Sequence, residues 1–373
     1  MKQNKNKVLA SIVLSLVEGV GDVLYKQLID QLGSAQKIAE TESGKLQSIG
    51  KISHSLQQQF LQKSKNYQRA SELYDHHTQA KIKILAYENE EYPMRLKELH
   101  SPPSLLYYRG NTDLNSSRMI SIVGTRNASN YGRQWVKEFV KDLKPYDVTI
   151  VSGLAYGIDI HAHKAALAEN MATIAVLAGG LDHIYPTEHT GIAKEITSNG
   201  AILSEAPIGV APERYHFPAR NRIITGITDA VVIVEAGQKS GALITAQHAD
   251  DLNREVFALP GNINQANSQG CNNLIKSHQA TLVTSAKDLV DMMNWHKITE
   301  NHTGQVVNAS KKLSPNEQKI ITALRHASLP QTIDYLSYQT KIDSNMLLSI
   351  LLKLEQEQQV SLLSGNKYQL INN

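Results

Sequence analysis

Six short apolar runs punctuate the middle of the chain: MISIVG (119–124), VTIVSG (148–153), TIAVLAGG (173–180), GAILSE (200–205), DAVVIVEA (229–236) and EVFALPG (255–261). Each is rich in Val, Ile and Leu and closes on glycine or a polar turn. Amphipathic stretches at 131–144, 157–170, 188–199 and 240–253 lie between them. A strand that is apolar on both faces has to be covered on both faces. Helices returning between parallel strands do this. The pattern predicts an α/β fold, a doubly wound Rossmann-like parallel sheet over 106–295. Glycine supports it, since 15 of the 22 fall between Gly110 and Gly270, where strand-to-helix turns are needed.

At roughly 150 residues per domain, 373 residues leave room for more than this sheet. Residues 8–75 read as helical, within a domain expected over 1–80. LVEGVGDVLYKQLIDQLGS (16–34) and LQSIGKISHSLQQQF (46–60) each place a glycine turn before a helix of apolar spacing. That is the shape of a helix-hairpin-helix (SAM-like) unit, whose turn can offer N–H groups to a phosphate, or of plain helix–helix turns. Pro93, Pro102 and Pro103 limit regular structure in the connecting segment 81–105. Beyond Trp295, HKITENHTGQVVNASKK has no periodicity and reads as a linker, 296–313. Residues 314–373 then open on Ser314 as N-cap and Pro315 at the first helical position. Three helices and a hairpin around Gly365-Asn366 give a small winged-helix domain. Its helix 344–356 has Lys353 as its one basic residue, so a protein partner suits it at least as well as DNA.

The net charge of +3 announces no partner, and sixteen basic against eighteen acidic residues leave 106–295 at −2. A single cysteine, Cys271, excludes an internal disulfide and multi-cysteine metal centres and fits a reducing compartment. The N-terminal apolar run soon meets Glu18 and Asp22 without an A-x-A-type cleavage site, and no apolar stretch reaches 18 residues. The expectation is a cytoplasmic protein with no membrane span, no cofactor and no metal.

Four turns carry the chemistry. Gly124-Thr125-Arg126, followed by Ser129, leads from strand to helix, which suits an anion or simply a tight turn. Neither G-x-G-x-x-G nor a P-loop string occurs. Ser152–Asp159 continues into His161 and His163; Asp159, His161 and His163 do not share a helix face, so packing and N-terminal hydrogen bonding explain them better than a metal. RYHFPARNRIITG (214–226) sets Arg214, Arg220 and Arg222 among Tyr215 and Phe217, with Asn221 beside them and no acid. Guanidinium groups on phosphates and rings under bases suit a nucleic-acid strand; the alternative is a solvated loop with an arginine paired to Glu205 or Glu235. Finally, EAGQKSGA (235–242) brings Lys239, Ser240 and Gly241 to a helix start. All four turns fall at the carboxyl ends of strands, where such sheets bind ligands. With a net acidic domain, any DNA contact has to be a local pocket.

These strings, together with TIAVLAGGLDHIYP, REVFALPG and GCNNLI, resemble those of the DNA-processing protein A family (DprA, also called Smf) over roughly 106–290. FPARNRIITG and EAGQKSGALIT are the most diagnostic. The resemblance implies a single-stranded DNA-binding protein of natural transformation that protects incoming strands and loads RecA recombinase onto them. It implies a homodimer through the Rossmann-like domain, with single-strand-binding protein as a further partner, and no enzymatic activity. Carried over by position, Arg126, Arg214, Arg220 and Arg222 contact the DNA backbone, and Lys239 with its QKSG turn lines the same pocket. The chain departs from the family pattern at Ala178, His189 and Asn253, where Gly, Asn and Gly are usual, and at 277–281, where SHQAT replaces a short Gly-Ala turn. A phosphoribohydrolase-like enzyme on a related sheet is the competing reading. It needs a catalytic Glu where this chain has Gln247, and no acid pair or Ser–His–Asp set is visible.

Overall fold

The computed structural model describes residues 2–41, 45–46, 56–297, 314–327, 330–356, 359–363 and 367–370. The chain divides into two compact units, Met1–Ile298 and Thr299–Asn373.

The first unit is built on a nine-stranded sheet. Its strands are β1 (Lys83–Ala86), β2 (Leu105–Gly110), β3 (Met119–Gly124), β4 (Thr149–Ser152), β5 (Thr173–Val176), β6 (Ala201–Ser204), β7 (Ala230–Val234), β8 (Glu255–Ala258) and β9 (Thr281–Leu282). Their spatial order is β1-β2-β6-β5-β4-β3-β7-β8-β9. From β6 to β9 all neighbours run parallel, whereas β2 is antiparallel to both β1 and β6. The six apolar runs are β3 to β8. Alternation explains why they read as continuous. Ile120, Ile122, Val232 and Val234 pack with Val136, Phe139 and Ala162 of helices Asn130–Leu143 and Ile158–Ala168 on one face. Met119, Val123, Val231 and Ile233 pack with Ile223, Ala242 and Ala246 on the other.

The segment expected as a connector instead supplies β1 and the opening of β2, an antiparallel pair added to the edge of the sheet. The helical front is not separated from the sheet either. Leu14, Tyr25, Leu28 and Ile38 share one buried cluster with Leu96, Leu106 and Ile223. Helices Lys2–Ser15 and Asp22–Leu32 flank the first glycine turn, where Gly19 has φ +87°. The carboxylate of Asp22 there accepts from Ser104 N at 2.9 Å and Ser104 Oγ at 2.6 Å. Most of the second expected glycine turn, 47–55, lies outside the described residues. Asn253 has φ +51° and His278 φ +58°, so each holds the left-handed conformation at a departure from the family pattern. No described helix is long and apolar enough to cross a membrane.

The second unit has helices Pro315–His326, Ile333–Thr340 and Ser344–Gln356 against a three-stranded sheet. Strands β10 (Gln331–Thr332), β11 (Val360–Leu363) and β12 (Lys367–Leu370) lie in the order β10-β12-β11. The expected hairpin is the β11–β12 pair; its Gly365-Asn366 turn and the linker residues 298–313 lie outside the described residues. Ser314 forms a capping box with Glu317, whose Oε1 also accepts from Lys353 Nζ at 2.5 Å. The one basic residue of helix Ser344–Gln356 is thereby turned onto the protein. The bonds from Lys353 and from the Ser314 backbone hold the Glu317 carboxyl down at about 2. Replacing Ser314 by alanine should cost this unit about 1 kcal/mol, read as a lower midpoint of its transition in urea.

Candidate nucleic-acid interface

The chain leaves β3 toward β4, β5 and β6, then returns to β7 on the opposite side of β3. The switch point of the sheet therefore lies between the ends of β3 and β7, where open α/β sheets hold ligands. Gly124 pairs with Val234, and a Cβ on it would sit 1.8 Å from the Val234 carbonyl oxygen. Only glycine allows that approach. Thr125 N then donates to the Glu235 carbonyl at 2.7 Å, and Ile158 N to the Thr125 carbonyl at 3.1 Å. Gly157, at φ +77°, brings the turn after β4 against the same loop.

At the heart of this junction sits a carboxylate of the protein itself. Glu235 is buried in the left-handed conformation, and its side chain accepts from both Ser129 N, at 2.8 Å, and Ser129 Oγ. The start of helix Asn130–Leu143 was a candidate anion seat; in the structure Glu235 fills it. Ser129 faces inward as the N-cap, and Gly132 has no side chain because Glu235 Oε2 would lie 2.6 Å from its Cβ.

Arg126 consequently points away from the junction. Its guanidinium lies 5.5 Å from the ring centroid of Phe217, and that ring meets Tyr185 edge-on at 5.4 Å. Arg126, Arg133, Tyr156 and His161 line a cavity of about 600 Å³ beside it.

The arginines of helix His216–Gly226 divide into two kinds. Arg220 is 6% exposed, and its Nη1 donates to the carbonyls of Gly153, at 2.7 Å, and Val176. Gly153 leaves room for it, since a Cβ there would lie 2.4 Å from the guanidinium. Burial lowers its pKa to about 10, which leaves it charged at neutral pH. Arg222 Nη2 reaches Glu205 at 2.6 Å and Asp22 at 3.3 Å, while Nη1 donates to the Ser101 carbonyl. Asn221 donates to Thr245 Oγ1 at 3.0 Å. These three residues hold the helix to the sheet, to the N-terminal helices and to helix Gly241–Asp251. Arg214 is left exposed and Phe217 half-buried, with Tyr215 65% exposed between them.

Ser240 caps helix Gly241–Asp251 by accepting from Ala242 N, Gly241 is open, and Lys239 is exposed. None of Arg126, Arg214 and Lys239 forms an ion pair with a described residue. The structure thus leaves Arg126, Arg214 and Lys239 exposed on the carboxyl edge of the sheet, with Phe217 half-buried beside Arg126. Gly124, Ser129, Arg220, Asn221, Arg222 and Ser240 build the edge that carries them.

The D-x-H-x-H string separates as its helical spacing predicts. Asp159 Oδ2 accepts from Gly153 N at 3.1 Å, and burial raises its pKa against the opposing pull of Arg220. His163 is buried and contacts Thr173 Oγ1 at 2.7 Å. His161 lines the cavity, its pKa lowered by burial and by the charges of Arg133 and Lys164. Among the described residues no three His, Cys, Asp or Glu side chains gather as a metal ion needs. Gln247 turns along its own helix to Asp251. Burial pushes the Cys271 thiol up to about 11, which makes it a poor nucleophile.

Sequence reasoning missed Glu235 as the internal anion, Tyr185 as the partner of Phe217, and Arg133. An acid ending an apolar strand just before glycine was a usable signal for the first. For Tyr185 there was none, because the chain brings it in from 32 residues away (217 − 185).

A family model described as DNA recombination-mediator protein A matches residues 83–294. The chain is similar to Protein Smf of Synechocystis, 39% identical over 285 residues that cover 74% of this chain and 71% of that one. It is also similar to DNA processing protein DprA of Bacillus subtilis, 40% identical over 56% of this chain and 71% of that one. Among solved structures, DprA of Streptococcus pneumoniae superposes with a TM-score of 0.65 at 32% identity, covering 77% of this chain and 97% of that one. DprA of Helicobacter pylori, whose structure describes a single-stranded DNA binding mode, gives 0.53 at 32% identity over 58% and 97%.

Proposed function

Because the chain belongs to the DNA recombination-mediator protein A family, we propose that it binds single-stranded DNA along the carboxyl rim of its sheet. Phosphates lie on Arg126, Arg214 and Lys239, and a base stacks against Phe217. One observation carries this reading: Arg126 stands over Phe217 with no carboxylate among the described residues to neutralise it, at the switch point of the sheet. A ring backed by a guanidinium is a stacking platform with a phosphate donor attached, the pairing that non-specific strand binding uses. The Helicobacter pylori relative's single-stranded DNA binding supports the same ligand.

The role in the cell is the handling of incoming single strands in natural transformation. The protein protects the strand as a homodimer and loads RecA recombinase onto it, displacing single-strand-binding protein, without turning over a substrate. Arg220 and Arg222 serve as positioning residues of the DNA edge.

The test is oligo(dT) binding by fluorescence anisotropy across salt concentrations. The three rim contacts contribute about −2 to the log–log salt slope, at about −0.7 per contact. Arg126→Ala with Lys239→Ala should make the slope shallower by about 1.4 and weaken all sequences alike, with the melting temperature unchanged. Unaltered affinity in that double variant sinks the placement of the site. For the loading role, RecA strand exchange on strands precoated with single-strand-binding protein should accelerate when the wild-type protein is added and not when the double variant is.

A further inference from the structure

The open cavity of about 600 Å³ beside Arg126 is lined by residues that, Arg126 apart, take no part in the contacts above. Two guanidinium groups stand in it. Arg133 is fixed by its own helix: Nε donates to the Ser129 carbonyl at 3.3 Å, and Nη2 to Asn130 Oδ1 at 2.6 Å. Both bonds go to neutral acceptors, so its charge stays available, and Nη1 remains uncommitted. The exposed Lys164 adds to the same field; it and Arg133 both act on the pKa of His161 at the cavity wall. The buried carboxylate of Glu235 is consumed by Ser129.

The cavity also has an aromatic wall. Tyr156 is 40% exposed, with its ring edge-on to His189 at 5.2 Å. The ring is thereby held in place. A cavity of this volume falls in the range that small-molecule pockets occupy. Cations on one side and a fixed ring on the other match the two halves of a nucleotide.

Resting on the reading of the rim as a single-strand site, we propose that this cavity is a second nucleotide subsite. It receives a further phosphate between Arg126 and Arg133, and the next base against Tyr156. The strand then meets two rings, Phe217 and Tyr156, around a shared Arg126. Arg126 is shared by the two subsites, while Arg133 and Tyr156 belong to the second alone.

The experiment uses the full chain and fluorescein-labelled oligo(dT) from 4 to 20 nucleotides, with thermal unfolding as the folding check. Arg133→Gln should make the salt slope shallower by about 0.7 and shorten the strand needed for full affinity by about one nucleotide. Arg133→Lys, which keeps the charge but loses the fork onto Ser129 and Asn130, should restore the slope. Tyr156→Ala should weaken oligo(dT) about tenfold and leave binding to an abasic strand of equal length unchanged. If Arg126→Ala weakens binding but Arg133→Gln leaves both slope and minimal length as in the wild type, the second subsite is overturned and the rim site stands. If Arg126→Ala itself has no effect, both fall together. Free dTMP serves as the remaining arm. Saturable dTMP binding that Arg133→Gln abolishes, with no change in the oligo(dT) slope, assigns the cavity to free nucleotides and overturns its place on the strand.

Discussion

Replacing Arg220 by methionine should lower the unfolding free energy of the first unit by about 3 kcal/mol. The same replacement at Arg126 should change it by less than about 0.5 kcal/mol. The two arginines belong to the same proposed edge, yet their surroundings differ in kind. Arg220 is enclosed, donates to the carbonyls at the ends of β4 and β5, and lies close enough to Asp159 to counter the effect of burial on that carboxyl. Removing it strands those acceptors and leaves Asp159 buried without its compensating charge. Stranding buried acceptors costs about 1–3 kcal/mol, and the upper end applies because Asp159 also loses its compensating charge while keeping the bond from Gly153 N. Arg126 gives up only an exposed contact with Phe217. Both variants should lose DNA affinity, one together with stability and one without. Urea unfolding followed by tryptophan fluorescence and by circular dichroism separates them. An Arg220→Met protein as stable as Arg126→Met would contradict the positioning role.

Acidification should unfold the protein through His163, by about 1.4 kcal/mol for each pH unit below about 6.5. Thr173 Oγ1 donates to the Ile150 carbonyl, so its contact with His163 is one in which the ring Nδ1–H donates. Nε2 is then a bare acceptor, buried with no partner. A proton added there would have nothing to bond, and burial pushes the pKa down from 6.5 to about 3. With the folded value below the unfolded one, the unfolded chain binds the extra proton first. Stability is complete above 6.5 and falls as the pH drops through the window toward 3. Asp159 works in the opposite direction at the acid end, because its raised pKa lets the folded state take up a proton early. His77 and His161 shift as His163 does, so the difference between proteins is the quantity to read. His163→Gln, which retains a donor for Thr173, should remove close to one proton's worth of slope between pH 6.5 and 5. Identical slopes in the two proteins would exclude His163 as the group responsible.

The parallel part of the sheet was legible because its strands are buried on both sides, so that apolar runs and glycine turns mark β3 to β8 directly. The β1–β2 pair was not, since four- and six-residue strands flanked by Pro93, Pro102 and Pro103 carry little pattern of their own. In the FPARNR stretch, charge was legible and direction was not. Arg220 lies three and four residues before Ile223 and Ile224, which places it on the buried stripe of its helix, while Arg214 precedes that helix altogether. That spacing was available, and the density of positive charge obscured it. Phe217 meeting Tyr185, and Glu235 meeting Ser129, are contacts between distant segments that no local pattern encodes.

Glu235 has a further consequence. A doubly wound sheet ordinarily offers one deep seat at its switch point, and a single small anion can satisfy it. Here that seat is permanently taken by the chain's own carboxylate. What remains, on the proposed reading, is a row of separate contacts along the rim and in the cavity beside Arg126. Affinity then has to come from valency: every further contact is reached at the high effective concentration set by the one before it, so binding should climb steeply with polymer length. On the proposed reading, filling the place where a monomer would sit favours a strand over a single nucleotide.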